Sequence, residues 1–282
     1  TPVHGAYVKP EGSVATTHEG GIPLTKPNVC ILRTDGTNCD EETAYAFQKA
    51  GGLPHLVHVN ELRSKADSLM NYDILAIPGG FSYGDDIAAG AVLANELISF
   101  LRDQLQAFVD AGRLVIGICN GFQMLVRAGL LPRRTVGEPT ATLTVNDSGR
   151  FECRWIQLVF SYDSPCVFAK GLTGKVFELP VAHGEGKFVV SDVLLRELHA
   201  QHLSPLRYHD HGHPATRHPY NPNGSLDGIA GVCDLTGRVF GLMPHPERFV
   251  ERTHHPNWRR FDYGKPHGLA LFENAVNFVK DL

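Results

Sequence analysis

The chain has 282 residues, 43% of them hydrophobic and 20% charged, with a formal net charge of −4. That length suits one large α/β domain or two small ones, and the charge offers nothing to nucleic acid or an anionic membrane. No apolar run approaches a bilayer span, no signal peptide precedes the first strand, and the six cysteines lack the CxxC spacing of a zinc site or a disulfide framework. We therefore expect a soluble protein of a reducing compartment.

Residues 1–27 are rich in Gly, Pro, Thr and Ser without periodicity and read as an irregular N-terminal extension, leaving 28–282 as the domain. Asn28 to Arg33 is a buried strand, Glu41 to Ala50 an amphipathic helix closed by Gly51-Gly52, and His55 to Val59 a second strand. This β-α-β unit predicts a parallel sheet with right-handed crossovers. Tyr72 to Ile77 is the next strand. It runs into Pro78-Gly79-Gly80 and then Phe81-Ser82-Tyr83-Gly84-Asp85-Asp86. Gly79-Gly80 is either a plain tight turn or a place where backbone N–H groups face a ligand at a strand's carboxyl end. Asp85 and Asp86 suit the cap of a helix containing Ile87 to Ala94, and a second helix spans Leu97 to Ala111.

Leu114 to Ile118 is a short apolar strand, and Phe122 to Ala128 has helical spacing. Between them Gly117-Ile118-Cys119-Asn120-Gly121 has the form of a nucleophile elbow with cysteine in place of serine. The helix amides would favour a thiolate at Cys119; the alternative is a cysteine packed as a small hydrophobe. After Gly129 the pattern changes. Thr140 to Val145, Arg150 to Phe160 and Val176 to Val181 alternate as antiparallel strands do, and Ala182 to Phe188 reads as a Gly-flanked loop carrying His183 and Glu185. The stretch His199 to His218 holds six histidines, but its irregular spacing suits a solvated helix end and hairpin better than a metal site. Ile229 to Cys233 and Val239 to Met243 are strands, and Ala270 to Val279 is a closing amphipathic helix.

The strand at Val239 leads into Pro244-His245-Pro246-Glu247-Arg248. In an extended backbone residues i and i+2 share a face, so Glu247 can hold one ring nitrogen of His245 and leave the other for a nucleophile. His183 is the rival base. Glu185 stands two residues beyond it, as Glu247 does beyond His245.

Here the residues match a family. GICNGFQ (117–123) together with PHPE (244–247) resembles the class I, or triad, glutamine amidotransferases. TNCD (37–40), PGGFSYGDD (78–86), AHGEGKF (182–188), NPNGS (221–225) and GLMPHPER (241–248) are similar to the glutaminase subunits of phosphoribosylformylglycinamidine synthase, from about Asn28 to the C-terminus. The resemblance implies a flavodoxin-like α/β fold: an open, mostly parallel sheet with helices on both faces and antiparallel strands in the second half. It implies a cytoplasmic enzyme that hydrolyses L-glutamine through a cysteinyl thioester and passes ammonia to a synthetase subunit, with a small accessory subunit as a further partner. Cys119, His245 and Glu247 would be catalytic, Gly80, Phe81 and Asn120 would form the oxyanion hole, and Gln123, His183, Gly184 and Glu185 would bind glutamine. No metal and no cofactor is expected in this chain, which has no P-loop; ATP and magnesium belong to the synthetase. A stand-alone cysteine hydrolase and a catalytically silent binding subunit are the other classes open to this sequence.

Overall fold

The computed structural model describes residues 26–65, 67–80, 91–161 and 163–282, with the side chains of 91–97 excepted. Phe81, the rest of the FSYGDD stretch, the Asp85–Asp86 cap and nearly all of the N-terminal extension lie outside the described residues. Chain order gives β1 (Asn28–Arg33), α1 (Asp40–Lys49), β2 (Leu53–His58), α2 (Val59–Arg63), β3 (Ile74–Ile77), α3 (Ala91–Asp110), β4 (Leu114–Ile118) and α4 (Asn120–Arg127). There follow β5 (Ala141–Val145), β6 (Glu152–Phe160), β7 (Val176–His183), β8 (Glu185–Val190), α5 (Asp192–Ala200), β9 (Leu206–Asp210) and β10 (His213–Pro214). β11 (Ile229–Cys233), β12 (Val239–Leu242) and α6 (Leu269–Lys280) complete the list.

One large sheet has the order β2-β1-β3-β4-β12-β11-β9-β6-β7, with β10 paired to β9. Its first half is parallel: β2, β1, β3, β4 and β12 all run the same way. From β12 onward the pairing is antiparallel. β1, β3, β4 and β12 are apolar runs buried almost throughout, as strands covered on both faces must be. α1 packs on α6, with Phe47 and Phe272 edge to face at 4.9 Å, while α3 packs on α4, so two helix layers flank the sheet. α4 lies against β3 and β4 because Gly121 carries no side chain: a Cβ there would come within 1.9 Å of the Ile77 carbonyl oxygen.

Three sequence expectations are corrected. The described parts of the two helices expected at 87–94 and 97–111 form one continuous α3, since no Gly or Pro interrupts Ala91 to Asp110. The stretch 182–188 is not a loop. It is where β7 ends at His183 and β8 begins at Glu185, crossing from the large sheet to the β5-β8 pair. The segment at 246–248 is a single 3₁₀ turn rather than extended chain, with Pro246 at its first position, where its fixed φ suits a helical start. The histidine-rich stretch falls at the end of α5 and in the β9-β10 hairpin, as expected.

Candidate active site

The carboxyl ends of β3, β4 and β12 lie side by side, and each delivers one part of the site. Cys119 is the single residue between β4 and α4, with φ 52° and ψ −106°. Positive φ is costly for a residue with a side chain, and here it swings the sulfur out of the strand line. The Cys119 amide donates to the Leu242 carbonyl at 2.8 Å, so β4 and β12 are stitched together three residues before His245. The thiol leans toward the Ala182 carbonyl, 3.7 Å away, and the residue is 7% exposed. The first amides of α4, which begin one residue after Cys119, have no partner within the helix.

His245 is fixed at both ends. Its amide donates to the Pro180 carbonyl of β7 at 2.9 Å, and its Nδ1 lies 2.6 Å from Glu247 Oε1. Both residues are 1% exposed. The turn that replaces the expected extended chain therefore gives the expected pair. Burial alone would push the imidazolium down; the Glu247 carboxylate and the sulfurs of Cys119 and Cys39 outweigh it and hold His245 well above its ordinary value. Nε2, opposite the nitrogen held by Glu247, is buried and makes no hydrogen bond of standard geometry. Gly79 explains how ring and thiol come so close: a Cβ there would sit 2.8 Å from His245 Cε1 and 3.2 Å from Cys119 Cβ. Any other residue would separate them.

A cavity of about 250 Å³ opens over these groups, lined by Cys119, His245, Gly80, Asn120, Gln123, His183, Gly184 and Glu185, with Asn38, Phe151, Ala182 and Arg248. Every described residue predicted for the site thus lines it except Glu247, which stands behind His245. Gln123 Nε2 donates to the Glu185 carbonyl, tying α4 to the start of β8. Asn120 Nδ2 donates to the Gly80 carbonyl at 2.7 Å. Arg127 lies 3.9 Å from the Glu185 carboxylate at the rim.

Sequence reasoning assigned no role to four neighbours. Arg248 Nη2 lies 3.0 Å from Cys39 Sγ, and Cys39 also reaches His245. Burial keeps the Cys39 thiol above its ordinary value, so it is no rival nucleophile. Asn146 anchors His183, and Phe151, about half exposed, borders the mouth. Cys39 sits inside the TNCD motif, which was the available signal; Asn146 and Phe151 have none. Cys39, His245 and Glu247 are the only described His, Cys and carboxylate groups close enough to share a metal ion, within 4.8 Å of one another. His245 Nδ1 and Glu247 Oε1 bond one another, and the Arg248 guanidinium lies on the sulfur.

A family model described as the CobB/CobQ-like glutamine amidotransferase domain matches residues 26–279. The chain is 46% identical over 261 residues to phosphoribosylformylglycinamidine synthase subunit PurQ of Dehalococcoides mccartyi, covering 92% of this chain and 100% of that protein. It is 41% identical over 267 residues to the protein of the same name from Methanococcus maripaludis, covering 89% and 97%. Among solved structures it resembles a chain of the PurLQS structure from Thermotoga maritima, with TM-score 0.69, 33% identity, and coverage of 90% and 100%. Among the described residues no helix is long and apolar enough to cross a membrane.

Proposed function

The chain belongs to the CobB/CobQ-like glutamine amidotransferase domain family, and from that premise we propose that it is the glutaminase subunit of phosphoribosylformylglycinamidine synthase. It hydrolyses L-glutamine and supplies ammonia to a synthetase subunit, which converts formylglycinamide ribonucleotide to formylglycinamidine ribonucleotide in cytoplasmic purine synthesis. A small accessory subunit joins the complex, and ATP and magnesium act on the synthetase. The observation that carries the chemistry is the strained Cys119 beside a buried His245–Glu247 pair in one cleft.

Cys119 thiolate attacks the side-chain amide carbon of glutamine and forms a tetrahedral oxyanion. Donors for that oxyanion are the Asn120 amide at the start of α4 and the amides around Gly80 and Phe81; one such donor is typically worth about 10²–10³ in rate. His245, protonated through its partnership with Glu247, gives its proton to the departing nitrogen, so ammonia leaves and a γ-glutamyl thioester remains. The now neutral His245 takes a proton from water, whose oxygen attacks the thioester; glutamate leaves and the thiolate returns. Glu247 keeps the ring oriented and its charged form stable. Gln123, Gly184 and Glu185 hold the amino-acid end of the substrate.

The test is covalent trapping. A glutamine-like diazoketone should label Cys119, and peptide mass mapping should find the adduct there. Cys119→Ala should keep the fold and lose glutamate release. Labelling chiefly at Cys39, Cys153 or Cys233 would refute the assignment. Full glutaminase activity indifferent to the synthetase would point instead to an independent hydrolase.

A further inference from the structure

Arg248 borders both the cleft over Cys119 and a second hollow, which Glu41, Glu42, Tyr45, Glu247 and His254 line. Its Nη2 donates to Cys39 Sγ at 3.0 Å, and the Cys39 thiol donates in turn to Asn38 Oδ1 at 3.2 Å. Asn38 is pressed on Gly80, where a Cβ would come within 2.6 Å of its Oδ1. The TNCD turn and the arginine that ends PHPER are therefore one packed unit. A surface ion pair with Glu42 alone would not take Nη2 to a cysteine that is 0% exposed.

The same guanidinium carries a charge toward the catalytic pair. Arg248 Nε lies 3.9 Å from Glu247 Oε1, the oxygen that is 2.6 Å from His245 Nδ1. At that distance the contact is one of charge and not a hydrogen bond. The side chains of His245 and Glu247 are 2% and 0% exposed, so water and salt screen little between them. Nε is also 3.9 Å from Glu42 Oε2 on α1, but Glu42 is about half exposed and its charge counts for less. Glu247 thus answers two cations when His245 is protonated and one when it is not. Two effects follow, with the same sign. Arg248 and the imidazolium repel each other across the carboxylate they share. When the ring is neutral, Arg248 is the cation left to Glu247, whose second oxygen is buried without a partner, and a carboxylate stranded there would be costly. Both effects ease proton loss from His245. The other titratable groups that reach the ring come from elsewhere: the sulfurs of Cys119 and Cys39, which favour its proton, and His183 at the end of β7.

We propose that Arg248 is a positioning residue of the glutaminase reaction: its guanidinium shares the Glu247 carboxylate with His245, so that the ring can hand its proton to the departing nitrogen and return to the neutral form. The inference rests on the glutaminase reading and adds a counter-charge to it. A buried carboxylate given wholly to His245 would orient the ring but hold it protonated. Such a ring gives up its proton reluctantly and cannot take one from water in thioester hydrolysis. Cys39 has the mechanical part. By accepting from Nη2 it keeps the guanidinium against the pair instead of out in solvent with Glu42.

The experiment uses the complex with the synthetase and follows glutamate release against pH. R248M removes both charge and donor, R248Q keeps a donor for Cys39 without the charge, and R248K keeps the charge. Thioester hydrolysis needs the neutral ring, so release falls on the acid side as His245 takes up its proton. In R248M and R248Q that acid limb should move up by about one pH unit. The deficit against wild type should then be about 10-fold on the acid side and close as pH rises. R248K should stay near the wild-type profile. A limb that stays in place or moves down in R248M and R248Q overturns the proposal. So does a limb that moves as far in R248K, since packing and not charge would then be at work. If R248M does not fold, R248Q and R248K decide between them. NMR titration of the His245 ring in the full chain carrying Cys119→Ser tests the premise without turnover: adding R248Q should raise the pH at which the ring loses its proton, and an unchanged or lower value overturns it. A wild-type complex that releases no glutamate defeats the glutaminase reading itself, and the ring titration then still decides this inference.

Discussion

At the scale of single residues, His245 carries the sharpest expectations. Its folded value lies above the ordinary histidine value of about 6.5, so its pairing stabilises the fold fully below that pH and is lost as pH rises through the folded value. The stability gap between the wild type and His245→Gln, read from denaturant midpoints, should therefore narrow as pH rises; a gap that widened would contradict a protonated ring. Glu247→Gln removes the carboxylate that opposes burial, so the ring should titrate lower by NMR and turnover should fall, though less than in His245→Ala. Cys119→Ala and His245→Ala should each remove nearly all glutamate release, and the double variant should add little, because the two act as one unit. If His183→Ala abolished the thioester and His245→Ala did not, the wrong histidine has been chosen. The pair at 245 and 247 was legible in the sequence because both residues lie in one tripeptide. Asn146 was not legible: it meets His183 across 37 positions of chain, and nothing local to either residue announces the contact.

At the scale of elements, the sequence was readable wherever one strand or helix carried its own pattern. β1 and β4 came out with the bounds the apolar runs suggest, and β11 did too. It was misleading where tertiary pairing decides. AHGEGKF contains two glycines in seven residues and looks like a loop, yet β7 and β8 claim it because β6 and β5 offer edges to pair with. Likewise the two prolines around His245 suit extended chain as well as a 3₁₀ start, and only the closure of Glu247 onto Nδ1 selects the turn. The approach of α4 to β3 gives a direct check. Gly121→Ala places a methyl 1.9 Å from the Ile77 carbonyl oxygen, so α4 must shift off the sheet and carry Cys119 with it. We expect a loss of about 1–3 kcal/mol in unfolding free energy, as overpacking of a fitted interface costs, together with a fall in turnover larger than the stability change explains. Wild-type stability and activity in this variant would show that the contact is slack.

At the scale of the whole molecule, the proposed role requires restraint. Ammonia released into solvent near neutral pH is mostly protonated, and ammonium has no lone pair to attack an activated amide. Glutamate release by the isolated chain should thus be slow and should rise when the synthetase, ATP and formylglycinamide ribonucleotide are all present. The Gly80 carbonyl, now held by Asn120, is a natural place for that control, since rotation of this peptide would change which groups face the oxyanion. Equal rates with and without the partner would remove the argument. The elbow at Cys119 has a different consequence, for the thermal stability of the entire chain. A φ of 52° with ψ of −106° is held against the preference of any residue bearing a Cβ. At an ordinary strand or helix position alanine outlasts glycine by about 0.5–1 kcal/mol, because glycine has more freedom to lose. Here the order should invert. Of two inactive proteins, Cys119→Gly should melt at a higher temperature than Cys119→Ala, and it should at least match the wild type, since the strain of about 1–3 kcal/mol disappears with the side chain. Differential scanning of the three proteins would show whether the nucleophile is the position at which the fold gives up heat resistance for chemistry. An alanine variant more stable than the glycine one would mean that the turn is relaxed as it stands.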